Sequence, residues 1–430
     1  MNSIFQGDPV LLRPRAATHP SVHLVLLPLL PTAPQRAPIP SELWGRILRN
    51  TISSRSDTKS QDEQSALLKL VLVCKAFKDV VLPLLYTKPY IPSFDKFVQF
   101  CDKLIDSDRK WDNLRRIRYS TPGRWVESLD LSHLSHLTGG QHLKFDKLVA
   151  QLFPILPFLR RLTLDHTAPL SRGAMHTLAD SDAALSLTIL RGVHIPSTQR
   201  ASYLQTESLV QLLRSCVNLE QLELRGEGLD GDGDMHDPDA IYAPANFDLP
   251  NLTLLSVVHV PFSPIIQALA RAELASLCAM TITLYADYAK TSDASKLLDA
   301  HATKLTTLTF SPCEAWPSTT THTPEDILDM CPRLRYLSLA IIPNSLSRPT
   351  VPSPLAILCI PRPTIEFLNR IVEPLMPSLR EVRIREVRYL SKAMGMGAAK
   401  AGSSAIILEW RRRLSRRGVI VLDAVGRSGP

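Results

Sequence analysis

Glycine is scarce in this chain, at 17 of 430 residues, half the number of prolines. With so little glycine the sequence holds no glycine-rich phosphate loop, and no nucleophile elbow occurs. The 34 prolines have the opposite effect, since each fixes φ and removes a backbone donor. Many short elements joined by sharp connections are therefore expected. No pair of cysteines is spaced CxxC, and the seven cysteines, Cys74, Cys101, Cys216, Cys278, Cys313, Cys331 and Cys359, are odd in number. That argues against a disulfide framework and against a zinc ribbon, and for reduced, buried thiols in a cytosolic or nuclear protein. No apolar run approaches the ~18 residues of a membrane span. Val22–Leu30 is apolar but short, carries His23 and is broken by Pro28, which makes it a poor signal peptide. The net charge of +8 is modest for this length and does not by itself argue for a nucleic-acid groove.

What is present begins with a proline-rich leader, residues 1–38, which holds seven prolines and no helical period and is read as disordered. From residue 39 the texture changes. Ile39-Pro40-Ser41-Glu42-Leu43 opens a helix, with Pro40 at its entry, Glu42 in the first turn, and Leu43, Ile47 and Leu48 on one face. The polar stretch Ser53–Gln64 is read as a loop. Leu67 to Val81 then reads as one helix, apolar almost all round, which has to be covered on several sides.

These two pieces resemble the F-box family, whose members typically open with Leu-Pro-x-Glu-Leu and close with Leu-x-x-Leu-x-Leu-Val-Cys-Lys-x-Phe. Here the opening departs at Ile39, and Leu67 through Phe77 follows the closing nearly residue for residue. Leu82-Pro83-Leu84-Leu85-Tyr86 resembles the family's exit, while the polar insert replaces its usual short turn. The resemblance implies an F-box over residues 39–90 that docks a Skp-type adaptor, and through it cullin and RING subunits. Carried onto this chain, the adaptor contacts are Pro40, Leu43, Ile47, Leu68, Val73, Cys74 and Phe77.

Beyond residue 110 a pattern Leu-x-x-Leu-x-Leu returns. Clear copies begin at Leu159, Leu219, Leu252, Leu305, Leu334, Leu355 and Leu379, and weaker ones at Leu114, Val126, Leu185 and Leu277. From Leu159 to Leu379 eight steps average 27.5 residues, with single steps of 21 to 34. That period resembles the leucine-rich repeat. Helical spacing precedes the copies at Phe145–Leu156, Thr206–Cys216, Pro264–Ala270, Ala294–Ala300, Pro324–Met330 and Thr364–Met376. The family's Asn or Cys eight residues after the first leucine is replaced by Thr167, Glu227, Val260, Ile342 and Val387, and only Cys313 fits. The fold class expected is α/β: an N-terminal helical F-box, then an irregular leucine-rich-repeat solenoid over residues 91–405, strands concave and helices convex. Residues 406–430 are read as a cap and tail, built on the amphipathic helix Ile406–Arg417, with Leu408 and Leu414 inward, and the strand Gly418–Asp423.

No constellation of nucleophile and base stands out, so the chain is read as not an enzyme and as needing no cofactor. Asp230–Asp234 alternates carboxylates as a calcium loop does, but Met235 and Ile241 stand where that loop needs Gly and Glu. His133, His136 and His142 lack a carboxylate or cysteine at ligand spacing, so no metal is expected. Arg411–Arg413 with Arg416 and Arg417 is read as a solvated helix face. The function expected is a substrate receptor of a Skp-cullin-F-box type ubiquitin ligase. The alternative is a scaffold that binds the adaptor without ubiquitin transfer. Neither a membrane nor a nucleic acid is expected among its partners. In each strand the leucines face the helices, so the intervening residues face the open side. That places Arg161, Asp165, Glu223, Arg225, Leu254, Tyr336, Glu381, Arg383 and Arg385 as candidates for holding an unidentified target protein.

Overall fold

A computed structural model describes residues 40–53, 60–110, 121–135, 137–195, 203–227, 248–286, 291–312, 321–386 and 403–428. The Leu-x-x-Leu-x-Leu copies become strands: β1 (Ser128–Asp130), β2 (Arg161–Thr163), β3 (Ile189–Ile195), β4 (Gln221–Gly226), β5 (Leu254–Val258), β6 (Ala279–Ile282), β7 (Thr307–Phe310), β8 (Tyr336–Ser338), β9 (Ile357–Ile360), β10 (Glu381–Ile384) and β11 (Ile420–Leu422). All eleven form one sheet in which spatial order follows chain order and every neighbouring pair is parallel. A parallel connection needs a crossover, and helices supply most of them.

Register across the sheet is set by the middle leucine of each copy. Leu129, Leu162, Leu190, Leu222, Leu255, Met280, Leu308, Leu337, Leu358, Val382 and Val421 lie opposite one another from edge to edge. The first leucines form a second row beneath, from Val126 through Leu159 and Leu219 to Leu379, all at most 4 % exposed. Burying one such side chain contributes roughly 1.5–3 kcal/mol, so the rows hold the sheet to its helices.

The Leu185 copy is corrected by one pleat. Leu185 is 55 % exposed, and Leu187 takes the buried first position with Leu190. The sequence misleads there because β3 carries a bulge between Leu190 and Val193, with Gly192 at φ 73°. A Cβ on Gly192 would lie 2.1 Å from the Leu164 carbonyl oxygen, so glycine is required on two counts. The Leu114 copy and Cys313 lie outside the described residues, as do residues 1–39, the Asp230–Asp234 stretch and His136.

The missing Asn position is replaced by two other ladders. The residue before the first leucine donates to the preceding unit: Ser186 Oγ to Pro157 O at 2.8 Å, Asn218 Nδ2 to Leu185 O at 2.8 Å, Asn251 Nδ2 to Val217 O at 3.2 Å and Ser276 Oγ to Pro250 O. The residue after it repeats the device, with Thr188, Thr253 and Thr306 Oγ1 each 3.1 Å from a carbonyl of the unit before.

The helices are α1 (Ser41–Ser53), α2 (Ser60–Val71), α3 (Lys75–Thr87), α4 (Phe94–Arg109), α5 (Gly139–Leu152), α6 (Arg172–Ala179), α7 (Asp182–Ser186), α8 (Tyr203–Ser215), α9 (Pro264–Arg271), α10 (Asp293–His301), α11 (Ile327–Met330), α12 (Ile365–Phe367), α13 (Glu373–Leu375) and α14 (Ser403–Ser415). Ser263 with Pro264 does start α9, as expected, whereas Pro324 lies three residues ahead of α11. Between α12 and α13 the chain widens into a π turn, Leu368–Val372, ahead of Pro374, which has no N–H to give to Arg370. The closing segment is more than a cap, because β11 pairs with β10 in the common register. Beneath it Trp410 is fully buried against Phe367, and its Nε1 donates to Thr364 O at 3.1 Å. Leu408 is 59 % exposed, so Ile407, Trp410 and Leu414 form the inward stripe of α14 in its place.

The N-terminal helices have a core of their own. Leu48, Leu67 and Val81 are buried together, with Leu70, Val71, Phe77, Val80, Leu84 and Leu85 around them. Two expectations are corrected here. Helix α2 begins at Ser60, inside the stretch read as a loop, and the supposed single apolar helix breaks at Leu72–Cys74. Cys74 is the N-cap of α3, its Sγ accepting from Phe77 N at 3.5 Å. Tyr86, at the end of α3, packs against Phe100 and Trp125, and Glu127 N donates to Thr87 O at 3.1 Å, joining this unit to the first strand.

Two outcomes follow. Leu308→Ala, in the middle row, should lower the urea-measured stability by about 2–5 kcal/mol, whereas Leu254→Ala, on the half-buried opposite face, should cost clearly less. Equal losses would mean the two faces are assigned wrongly. In native protein, exposed Cys74 and Cys278 should alkylate readily, and Cys101, Cys216 and Cys331 only on unfolding. Burial is the main cause that raises all three buried thiols, to about 12 for Cys216 and Cys331.

Candidate functional site

Two surfaces answer to the residues singled out in the sequence. The first lies on α1 and α2. On α1, Trp44 and Leu48 turn toward α3, where Trp44 meets the Phe77 ring at 5.1 Å. A four-residue step keeps Leu43 and Ile47 together on another stripe, at 47 % and 46 % exposed. Leu48 is therefore not on their face, contrary to the sequence reading. On α2, Leu67 and Val71 face the small core, leaving Leu68 at 48 % exposed, with Val73 at 63 % just beyond the helix. Cys74 and Pro40 are exposed as well, and Pro40 O accepts from Leu43 N and Trp44 N at the helix start.

Phe77 differs from the other adaptor candidates, because it is half-buried under Trp44 and serves the hairpin's own packing. Leu72 was missed. It is 85 % exposed, more than any other large apolar side chain among the described residues. Its place as the third leucine of the closing motif, Leu67-x-x-Leu70-x-Leu72, was the available signal. Five large apolar side chains in 31 residues thus face solvent because the hairpin has only one inner side to hide them.

The second surface is the face of the sheet turned from the helices. Arg161 is exposed there, and Glu223, Arg225 and Leu254 are half-buried. Asp165 is held in the turn after β2, where its Oδ1 accepts from Thr167 N at 2.8 Å and Thr167 Oγ1 at 2.6 Å. Ser256, Ser338 and Cys359 alternate with the leucines yet are at most 8 % exposed, so neighbouring side chains cover the smallest positions.

At β8–β10 the open face gathers several of the candidates. Burial, then the adjacent Cys359, pushes the Tyr336 phenol above its ordinary value, while a hydrogen bond from Ser338 and the charge of Arg383 pull it back. Tyr336 lies in register with Ile357 of β9 and Glu381 of β10. Arg383 gives its Nε to Glu381, and that bond is the main reason its guanidinium pKa is raised further. Arg385 donates to Leu339 O, two strands away, and Arg362 pairs with Glu386 at 2.5 Å beside it.

A cleft of about 580 Å³ separates the N-terminal helices from the start of the sheet, lined by Arg49, Glu63 and Lys88 on one side and Glu127, Asp130 and His133 on the other. His133 there packs edge-on to Tyr90 at 6.0 Å. On α14, Arg413 pairs with Glu373 and Arg417 donates to Met376 O at 2.9 Å, so part of the basic run fastens the last helix. Among the described residues no group of three His, Cys, Asp or Glu side chains could hold a metal ion, and no helix is long and apolar enough to cross a membrane. No protein-family model and no curated protein matches this chain.

Proposed function

We propose that this chain is a non-catalytic substrate receptor of a Skp-cullin-F-box type ubiquitin ligase, working in the cytoplasm or nucleus. In this reading residues 39–90 are an F-box, and the sheet with its helices is an irregular leucine-rich-repeat solenoid that holds a target protein. The observation that carries it is the outer stripe of α1 and α2. Of the side chains at fixed motif positions, Leu43, Leu72 and Val73 are exposed, whereas Leu67, Leu70 and Phe77 pack into the small core; Ile47 and Leu68 add to the exposed set.

Exposed apolar side chains at helical spacing on α1 and after α2 suit a partner that presents apolar side chains of its own, as a small helical adaptor would. Tyr86 and the Glu127–Thr87 hydrogen bond tie the hairpin to the first strand, so a partner on one is held at a set distance from a target on the other. The gain is a raised effective concentration of target near a ubiquitin-charged enzyme, with no covalent step carried out by this chain.

Two measurements test the reading. Replacing Leu43 and Leu72 by Ala should weaken co-purification of a Skp-type adaptor about tenfold or more, leaving the unfolding midpoint of the sheet unchanged. Equal recovery by wild type and double variant would remove the docking surface. In a reconstituted reaction the purified chain should form ubiquitin conjugates on a target only with cullin and RING subunits present. Conjugates formed with the activating and conjugating enzymes alone would make it an enzyme. Adaptor capture without cullin in the purified complex would leave the scaffold reading.

A further inference from the structure

Charge is unevenly placed along this chain. Residues 333–430 hold 17 Lys and Arg against 6 Asp and Glu, whereas the preceding residues hold 32 against 35. The net charge of +8 therefore arises wholly at the C-terminal end. On the open face of the sheet that excess is represented by Arg383 and Arg385, two residues apart in sequence and on the same side by the period of the strand. Both are exposed. The terminal nitrogens of Arg383 have no hydrogen-bond partner among the described residues, since only its Nε is held by Glu381. Arg385 spends one terminal nitrogen on Leu339 O, which fixes its side chain across the end of β9. Two strands away stands Tyr336, half-buried over Ser338 and Cys359.

We infer that this end of the open face, Tyr336 with Arg383 and Arg385, binds an acidic, unmodified segment of a partner protein in extended form. This rests on the receptor function proposed above and names the chemistry of what it holds. A guanidinium whose terminal nitrogens are free presents a two-pronged donor that matches a carboxylate. Tyr336 adds an aromatic face beside the charges, the pairing favoured at protein interfaces. From β8 to β10 is two strand spacings, roughly 10 Å, the span of about three extended residues. Glu381 and Glu386 stand among these arginines, and their repulsion falls harder on a dianionic phosphate than on single carboxylates.

The test uses the full chain and fluorescence anisotropy with a labelled glutamate-rich peptide. Wild type should bind it with an affinity that falls as salt is raised. Arg383→Gln with Arg385→Gln should weaken binding about tenfold, and so should Tyr336→Ala, a change on a different strand. Arg412→Gln with Arg416→Gln, exposed on α14, should leave it within about twofold. Loss in only one of the two open-face variants, or in neither, overturns the site, as does an equal loss from the α14 pair. Tighter binding of a phosphoserine version of the peptide, or of a single-stranded RNA of equal charge, overturns the stated partner. Adaptor capture should be unchanged in every variant. Failure of wild type to capture the adaptor would sink the receptor reading and leave the peptide result standing on its own.

Discussion

Everything in the larger part of this molecule depends on neighbouring parallel strands sharing one register. Each strand is three to seven residues long, too short to hold itself, and its unit buries its apolar residues only against the units on either side. The row from Leu129 to Val421 and the row of first leucines beneath it are continuous, so the core has no internal boundary between Ile91 and Val421. Cooperativity follows from that continuity. A unit with a defective leucine loses contacts with both neighbours at once.

Irregularity is absorbed at the turns. Ser186, Asn218, Asn251 and Ser276 hand a hydrogen bond back to the unit before, and Thr188, Thr253 and Thr306, each two residues before the middle row, do the same. Buried backbone carbonyls need partners, but the chemistry does not prescribe which side chain supplies them. Unit length can then vary without breaking the sheet. Among the described residues, the bulge at Gly192 is where a strand itself adjusts.

The N-terminal hairpin obeys the opposite rule. Its core is small, formed from Leu48, Leu67 and Val81, and its helices carry more apolar surface than three helices can bury among themselves. The stack therefore satisfies its apolar residues internally along its length, while the hairpin leaves Leu43, Ile47, Leu68, Leu72 and Val73 for something else. At the far end, Trp410 and the Arg413–Glu373 pair close the core, and the basic excess gathers there.

The sequence by itself determined the repeat, its period and the inward side of nearly every strand, because a period of two and three recurring leucines leave only one face to bury. It also determined the start of α9. Tertiary structure decided the rest. Leu187, not Leu185, holds the first position because the bulge at Gly192 moves the third apolar position on to Val193, which no local propensity reveals. Helix α2 starts in a polar stretch because the hairpin's core needs Leu67 in place, and Cys74 splits the apolar run by capping α3 with its sulfur. The turn after β2 also decided how Asp165 is held, its carboxylate taking two donors from Thr167. Tyr336 and Arg383, 47 positions apart in sequence, come to one end of the open face only through the pairing of β8, β9 and β10 in register.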